Sequence, residues 1–498
     1  MSQYHLATGV TFQENQDKTG GSLSIRYPRR IIRLSANGVQ AIKQLCGQLQ
    51  GPGAWDEKTA AFAVDLENQG IIMRNFPRLA DKDLPPVSIV IPTYNRQSRL
   101  TSCLESVLAL DYPQEKLEII VVDDSSPVPV DLEGILESVK PLLRLIRMPE
   151  NRGQGAARNE AVKQAKGEII AFLDDDCLAS KGWLKALVPC FQHPEVAAAG
   201  GRVESANLAR PLEKYEQVQS PLLMGGNQRK VRKGSALSYL ATCNLLVRKK
   251  SLLAVGAFDP ELRVGEDVDL CRRILERGEL IYYLPAGLVF HHHRSELIPF
   301  LKRRFNYGQS EARLQTRNPK EKRMLVFFPG NSIILGATIL TALLAGVLPA
   351  LAAGMGLTVF NLFRQLVRKL QSIKSAECKP GIRQALPAML RSQGTAVYLY
   401  SQNFSRYYSI PATVIALFSF PRLVPLFLAI HLLPGIIDYK LKKPSLTPVY
   451  FICYHFLENL VYQAGVFRGC LSEHNWHPLT MDFIRADANL LRVSVTKK

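Results

Sequence analysis

The sequence lacks both the paired cysteine spacings of a zinc module and the start of a secretory signal. Its nine cysteines are scattered singly along 498 residues, which favours a reduced, cytosolic setting. The first residues, MSQYHLATGVTFQ, contain no basic stretch followed by an apolar core, so we expect no signal peptide. These absences argue against a disulfide-bonded secreted protein.

Charged residues are also absent from residues 324–363, and the later stretches 407–437 and 450–467 contain one each, Arg422 and Glu458. Forty helical residues would be about 60 Å long, twice a hydrocarbon core of about 30 Å, so the first stretch favours a short membrane hairpin. The proline-rich second stretch is typical of a broken or re-entrant span. A soluble domain with buried helices is the alternative.

The sequence is strongly basic, with 62 Lys and Arg against 43 Asp and Glu, a net charge of +19. Such an excess is typical of proteins that bind nucleic acid, an anionic membrane or a phosphorylated substrate. Because the basic clusters stand beside the apolar segments, they favour lipid at the cytoplasmic face, and we expect no nucleic-acid partner. At roughly 150 residues per domain, the length suggests about three domains.

Residues 1–82 have the pattern of a small separate unit. Short strands are followed by two helices, whose first turns are preceded by the N-cap residues Ser35 and Asp56, and by a last strand. This order predicts a winged-helix-like module. The stretches RLSANGVQAIKQL and LENQGII resemble the PqqD-like peptide-recognition domain, and a plain structural appendage is the alternative. The linker DKDLPP ends the unit.

Residues 83–323 alternate buried strands with helices, which predicts a doubly wound, mostly parallel α/β sheet. Two strands end in acids, at Asp123–Asp124 and Asp174–Asp176, and both ends should face the same edge of the sheet. Adjacent carboxylates repel one another, and at this edge they suit a hard cation such as Mg²⁺ or Mn²⁺. For the second group alone, a solvated acidic turn is the alternative.

A third pair of acids, Glu266 and Asp267, opens a helix in GEDVDLCRRILERG. Acids in the first turn and arginines toward the end match the helix dipole. Three acid groups at element ends, together with the glycine-rich loop NRGQGAARN, are typical of a site for a nucleoside diphosphate.

Six motifs carry a family resemblance: PTYNR, IIVVDDSS, NRGQGAARN, GEIIAFLDDD, GEDVDLCRR and HHHR, in this order. They resemble the family 2 glycosyltransferases of GT-A fold over residues 87–307. The resemblance implies a GT-A domain at 83–323, followed by a helical membrane-associated region at 324–498. With the PqqD-like front and the apolar tail, the architecture resembles the glycosyltransferases of the mycofactocin system.

The resemblance implies a role for each matching residue at the nucleotide sugar. Thr93 and Tyr94 would line the nucleoside pocket, and Arg158 would support the phosphates. Either Asp123 or Asp124 would hydrogen-bond the base, commonly uracil in this family.

The remaining implied roles concern the metal and the acceptor. Asp174 and Asp176 match the D-x-D motif that holds a divalent cation, Mn²⁺ or Mg²⁺, and Asp174 would also contact the nucleotide sugar. His291 matches the histidine that completes the metal shell in some members, and a plain loop or core histidine is the alternative. Asp267 matches the general base that deprotonates the acceptor hydroxyl, and Cys177 follows the motif where many members have a fourth acid.

These roles imply an inverting, metal-dependent transfer of a hexose from a nucleoside-diphosphate sugar, UDP-hexose above all, at the cytoplasmic face of the cell membrane. The acceptor would be mycofactocin, a peptide-derived redox cofactor. A lipid-linked or cell-envelope polysaccharide acceptor is the first alternative, and a non-catalytic membrane scaffold or peptide-binding adaptor is the second. The Q-x-x-R-W motif of processive synthases is absent, which argues against a processive polymerase.

Overall fold

The structure is a computed structural model. It describes residues 3–25, 30–47, 56–132, 142–235, 237–319, 323–374 and 382–485. Two compact units divide the chain: Met1–Leu208 with Gln219–His293, and Ala209–Val218 with Arg294–Lys498. The helix that the sequence predicts near 131–140 falls mostly outside the described residues. The three-part division of the sequence stays a prediction.

Strands and helices of the described residues are numbered in chain order. The strands are β1 (Tyr4–Leu6), β2 (Val10–Glu14), β3 (Gly20–Ile25), β4 (Arg30–Ser35), β5 (Ile72–Arg74), β6 (Val87–Thr93), β7 (Leu117–Asp123), β8 (Leu143–Arg147), β9 (Ile169–Phe172), β10 (Cys177–Ala179), β11 (Val196–Ser205), β12 (Arg229–Lys230), β13 (Leu245–Arg248), β14 (Leu280–His291), β15 (Arg323–Phe327) and β16 (Met481–Arg485). The helices are α1 (Ala36–Leu45), α2 (Glu57–Asn68), α3 (Gln97–Leu108), α4 (Gln154–Gln164), α5 (Trp183–Leu187), α6 (Pro211–Gln219), α7 (Lys249–Ala254), α8 (Glu266–Glu276), α9 (Leu297–Arg317), α10 (Pro329–Ala345), α11 (Val347–Lys374), α12 (Ile382–Asn403), α13 (Ser409–Ser419), α14 (Val424–Lys442) and α15 (Pro448–Ser472).

The first unit is built on a nine-stranded sheet of order β10-β14-β11-β13-β9-β6-β7-β8, with β12 paired to β14. Strands β8, β7, β6 and β9 are parallel neighbours. Strand β13 runs antiparallel to β9 and β11, and β10 and β12 run antiparallel to β14. The predicted GT-A α/β fold class is therefore confirmed, with a parallel half and a mixed half.

Helices cover both faces of this sheet, and the strands are accordingly apolar on both faces. In β6, Ile89 and Ile91 pack into one core with Leu100 of α3. Val90, between them, packs into the opposite core with Ala157 of α4. Because successive side chains of a strand point to opposite faces, a run without polar interruptions specifies a strand buried between two helical layers.

The carboxyl ends of the strands bring the chemistry-bearing residues to one edge. Thr93 at the end of β6 lies beside Asp123 at the end of β7. Strand β9 pairs with β6 in parallel, so the three acids that follow it reach the same edge. Strand β13 is antiparallel to both β9 and β11, so β11 runs in the same direction as β9. Strand β14 is parallel to β11, so its carboxyl end reaches the same edge.

The N-terminal module contains the sheet β2-β3-β4, the pair β1-β5 and helices α1 and α2. Both predicted caps are present: the Ser35 hydroxyl accepts a hydrogen bond from the backbone N–H of Gly38, and the Asp56 carboxylate accepts one from Thr59. The winged-helix-like assignment of this module stays a prediction. Strands β1 and β2 were not predicted, because both are short and only partly buried.

A buried carboxylate attaches this module to the amino-terminal end of β14. Glu67, 2% exposed, accepts a hydrogen bond of 2.5 Å from the Tyr282 hydroxyl. Its carboxylate oxygens also lie 3.5 Å from Arg74 and 3.6 Å from Lys230. The module therefore packs on the sheet at the edge opposite to the acids.

The second unit is helical, and α9 and α15 are in close contact along their lengths. A Cβ on Gly308 or Gly465 would come 2.1 Å from a backbone oxygen of the facing helix, so only glycine permits this approach. The Arg304 guanidinium, 3% exposed, pairs with Glu216 and Glu458. The pattern of residues 300–313 predicts an amphipathic helix, and α9 confirms it.

Two helical segments of the described residues are long and apolar enough to cross a membrane, Val347–Val367 and Pro421–Lys442. Only 17% and 33% of them is buried within the protein. The third apolar stretch, 450–467, belongs to α15 and packs against α9.

Gly167 tests the close packing at the start of β9. A Cβ at this position would meet the backbone nitrogen of Ser88 at 2.4 Å, so we expect Gly167→Ala to lower the free energy of unfolding by about 1–3 kcal/mol through overpacking. Gly226→Ala is the matched control, because no atom lies within 4 Å of its added Cβ. The measurement is thermal unfolding in one detergent, and equal midpoints for the two variants would contradict the packing argument.

Candidate active site

The three acids after β9 have distinct partners. Asp175, 4% exposed, accepts a hydrogen bond of 2.7 Å from the Thr93 hydroxyl and one of 3.0 Å from Arg96. Arg96 also donates to Asp176, at 2.8 Å. Burial and the neighbouring Asp176 raise the pKa of Asp175 to about 6, although Arg96 opposes the shift. One guanidinium thus holds two of the three carboxylates in place.

Arg158 on α4 binds the remaining acid. Its guanidinium, with no exposed surface, donates to Asp174 at 2.7 Å and to Glu266 at 2.9 Å. Burial alone would lower the pKa of Arg158, but Asp174 and Glu266 outweigh it and the pKa is raised. The guanidinium also lies over the Phe258 ring, 5.4 Å from its centroid. Arg158 therefore fixes the start of α8 beside the end of β9.

The predicted base, Asp267, is the second residue of α8. Gly265, at φ 85°, precedes the helix in the left-handed conformation that glycine adopts without strain. The Asp267 carboxylate accepts a hydrogen bond of 2.8 Å from the N–H of Val268, in the positive field of the helix start. Since Glu266 is tied to Asp174 through Arg158, the structure brings Asp267 next to the acidic group. Its role as base stays a prediction.

Asp123, the last residue of β7, and Asp124, which follows it, bind the neighbouring loops. Asp123 accepts hydrogen bonds from Arg147 at 2.7 Å and from the N–H of Ser126 at 2.8 Å. Asp124 accepts from the N–H groups of Arg152 and Gly153, at 2.9 and 2.8 Å. Both acids are buried. Asp124 therefore shapes the glycine-rich loop that leads into α4, and contact of either acid with a base stays a prediction.

The Tyr94 side chain is 45% exposed beside this edge, in contrast to buried Thr93. Asn95, which follows, has φ 54° and its N–H donates to the Ser126 hydroxyl at 2.8 Å. The turn after β6 is thereby fixed to the turn after β7. Thr93 contacts Asp175 within the protein, so the structure supports a positioning role for its hydroxyl, and a nucleoside contact for Thr93 and Tyr94 stays a prediction.

Asp176 and His291 meet at the far side of the acidic group. His291 Nε2 lies 3.3 Å from an Asp176 carboxylate oxygen, and the two side chains are 13% and 16% exposed. Cys177 lies in the same group, and the potential ligand atoms of the three residues lie within 4.8 Å of one another. Asp174 is held by Arg158 and does not belong to this group. Metal binding by Asp174, Asp176 and His291 stays a prediction.

Two of the cations that hold the acids, Arg96 and Arg147, were not predicted as site residues. Arg96 stands directly after the PTYN turn, and Arg147 ends β8, so each had a positional signal at the same sheet edge. Glu266 was recognised as an acid, but its pairing with Arg158, 108 residues away, leaves no trace in the local pattern.

Comparisons with known proteins identify the family of this chain. A sequence model described as "Glycosyl transferase family 2" matches residues 88–256. Glycosyltransferase AglE of Haloferax volcanii is 30% identical over 239 residues, which cover 46% of this chain and 73% of that protein. The chain belongs to glycosyl transferase family 2. The first two acid groups and the glycine-rich loop lie within the matched residues, and the predicted enzyme class is confirmed.

Two further relatives extend the comparison. The pre-mycofactocin glycosyltransferase of Mycobacterium tuberculosis is 28% identical over 399 residues, 78% of this chain and 80% of that protein. A dolichyl N-acetyl-alpha-D-glucosaminyl phosphate 3-beta-D-2,3-diacetamido-2,3-dideoxy-beta-D-glucuronosyltransferase of Methanococcus voltae is 25% identical over 270 residues, 52% of this chain and 82% of that protein. The alignment with the Mycobacterium tuberculosis protein is longer than the segment matched by the family model. The predicted resemblance to the mycofactocin enzyme is confirmed.

Arg158→Ala tests the buried bridge in this family 2 glycosyltransferase. Removing the guanidinium leaves Asp174 and Glu266 without their shared partner, which we expect to cost about 3–5 kcal/mol of stability. Arg152→Ala, in the loop that precedes α4, is the matched control, because the Arg152 side chain is 56% exposed and lies 3.9 Å from Glu150. Thermal unfolding measures both. An Arg158→Ala midpoint equal to that of Arg152→Ala would contradict the bridge.

Proposed function

We propose that this protein is an inverting, metal-dependent hexosyltransferase that glycosylates the peptide-derived redox cofactor mycofactocin, using a nucleoside-diphosphate hexose. The observation that carries the reaction is the Arg158 bridge between Asp174 and Glu266. It sets Asp267, the candidate base, beside the D-x-D acids, the candidate donor site. A base and a donor site held together by one buried guanidinium are the minimum for direct transfer to a hydroxyl.

Of the predicted ligands, Asp176 and His291 lie close enough together to share a divalent cation, and Asp174 would join them only by turning away from Arg158. Carboxylate oxygens of Asp174 and Asp176 and the imidazole nitrogen of His291 are donors that suit Mn²⁺, and the carboxylates alone suit Mg²⁺. Asp176 and His291 already lie within 3.3 Å of each other. When bound, the cation would neutralise the charge that develops on the departing nucleoside diphosphate.

Asp267 acts as general base in this proposal. The positive end of α8 and the Val268 N–H favour its ionised form, which can accept the proton of an acceptor hydroxyl. Attack by that oxygen on the face of the sugar carbon opposite to the leaving group inverts the configuration in one displacement. The new carbon–oxygen bond forms as the bond to the diphosphate breaks, and the proton goes to Asp267.

The nucleoside would bind between the turns after β6 and β7. Exposed Tyr94 offers a ring to stack on, and Thr93 keeps Asp175 oriented. Asp123 is the better candidate for the base, because its partner Arg147 is a half-exposed side chain that can move aside. Asp124 is bound by two backbone N–H groups and could move only with its loop.

The acceptor assignment is supported by the similarity to the pre-mycofactocin glycosyltransferase, which extends over 80% of that protein. The Methanococcus voltae relative has a dolichyl phosphate in its name, and it favours a lipid-linked acceptor as the second candidate. A non-catalytic scaffold is the third candidate, and it is opposed by the presence of every acid that the reaction needs.

We further propose that the enzyme works at the cytoplasmic face of the cell membrane. The apolar side chains of Leu348 and Phe418 are 81% and 87% exposed in the second unit, which a lipid surface would cover. The two candidate spans and the basic residues that flank them support the same location.

The first test is Asp267→Asn. We expect sugar transfer from UDP-glucose or GDP-mannose to pre-mycofactocin to fall by about 10²–10⁴-fold, with nucleotide binding retained, because only the proton acceptor is lost. Mass spectrometry of the acceptor and titration with the nucleotide measure the two effects. Asp111→Asn, at an exposed acid paired with Lys185, is the matched control and should transfer normally.

The outcome of this assay separates the three candidates. Hexose transfer to pre-mycofactocin supports the proposal, and transfer only to a polyprenyl phosphate supports the lipid-linked acceptor. Donor hydrolysis without either product would discard both acceptors and keep the transferase. A wild-type protein that neither binds nucleotide nor hydrolyses donor would support the scaffold.

Metal removal is the second test. A chelator should abolish transfer, and added Mn²⁺ should restore it. Asp176→Asn should need at least about tenfold more Mn²⁺ for half-maximal rate, since it removes one charged ligand, a change of about 1.4 kcal/mol. Asp111→Asn again serves as control. Full transfer in the chelator would contradict the metal-dependent reaction.

A further inference from the structure

A thiol stands inside the group of residues that faces the candidate cation site. Asp176, Cys177 and His291 each offer one ligand atom, and these atoms lie within 4.8 Å of one another. The Cys177 sulfur is 3.9 Å from the Asp176 carboxylate oxygen that also faces His291. The thiol and the imidazole therefore face the same carboxylate oxygen of Asp176.

The strand pairing holds this arrangement. Cys177 begins β10 and lies directly opposite His291, the last residue of antiparallel β14. Side chains of directly opposed residues point to the same face of a sheet, so thiol and imidazole share one side. The N–H of His292 donates to the backbone oxygen of Asp176 at 2.9 Å, which holds the acid to the same strand end.

The chemistry of this set differs from that of carboxylates alone. Thiolate and imidazole prefer Zn²⁺ and Co²⁺, whereas Mg²⁺ and Mn²⁺ prefer oxygen. Two of the three residues also belong to the proposed catalytic cation site, so a cation that took the thiol would use Asp176 and His291 as well.

We propose that Cys177, Asp176 and His291 form a binding site for a thiophilic divalent cation, Zn²⁺ or Co²⁺, and that such a cation competes with the Mn²⁺ or Mg²⁺ of the reaction. Binding itself is independent of the proposed function, whereas the competition rests on it. The site gives the enzyme a point of inhibition by zinc.

The thiol must lose its proton when the cation binds. The Cys177 side chain has no exposed surface, and a cation binds its sulfur as the thiolate. The bond from sulfur to the cation replaces the sulfur–hydrogen bond, and the proton leaves to buffer. No electron is transferred in this step.

A neighbouring cysteine supplies the matched control. Cys243 is also buried and contacts Cys177, but it lies outside the group of three ligand atoms. A serine at either position removes one sulfur of the same pair. Only the loss of the Cys177 sulfur should affect the cation.

The experiment is a titration of the full-length, metal-free protein in detergent with Co²⁺. We expect the near-ultraviolet charge-transfer absorption of a sulfur–cobalt bond, saturating at one cobalt per chain and displaced by Zn²⁺. The absorption should be lost in Cys177→Ser and in His291→Gln, and retained in Cys243→Ser. Circular dichroism checks that each variant is folded.

Three results would overturn the proposal: no such absorption in the folded wild-type protein, its persistence in Cys177→Ser, or its loss in Cys243→Ser alone. Zinc should also raise the Mn²⁺ concentration needed for transfer. If the absorption is present and no transfer occurs with Mn²⁺, the proposed function fails and the cation site stands. If transfer occurs and the absorption is absent, the cation site alone fails.

Discussion

The candidate site depends on the burial of one positive charge. A guanidinium without access to water is tolerated only when anions surround it, and Arg158 has Asp174 on one side and Glu266 on the other. Those anions end a central strand and begin a helix far apart in the sequence. The need to pair one charge therefore joins α4, the end of β9 and the start of α8, where Asp267 follows Glu266, into a single arrangement.

The fold class was accessible from the sequence because apolar runs such as 87–91 and 119–122 have one explanation in a chain with helices between them. The mixed half of the sheet was less accessible. The pattern of residues 280–284 predicts a short strand, but the strand β14 continues to His291, with a register irregularity beside β11. There, a Cβ on Gly201 would meet the backbone oxygen of Gly287 at 1.8 Å. The local sequence around each glycine does not predict this long-range contact.

The acids of the site were predictable and their partners were not. A carboxylate at a strand end is visible in the sequence, whereas the hydrogen bonds it accepts depend on which loops return to the same edge. Asp123 and Asp124 illustrate the difference, since adjacent and chemically identical side chains bind a guanidinium in one case and two backbone amides in the other. Sequence motifs identify which groups are available, and the topology decides how each of them is used.

The N-terminal module is attached to the sheet through Glu67 and Tyr282. This attachment limits how a molecule bound by the module could reach the acids at the opposite edge of the sheet. Tyr282 lies near the start of β14 and His291 at its end, so nine residues of strand, about 30 Å, separate this attachment point from the acids. No side chain is long enough to cross this distance. An acceptor bound to the module would reach the acids only if a flexible segment of comparable length joined its bound part to its reacting hydroxyl. A small acceptor would have to dissociate from the module first. The two parts of this unit can thus share a substrate only in succession or through a long linker.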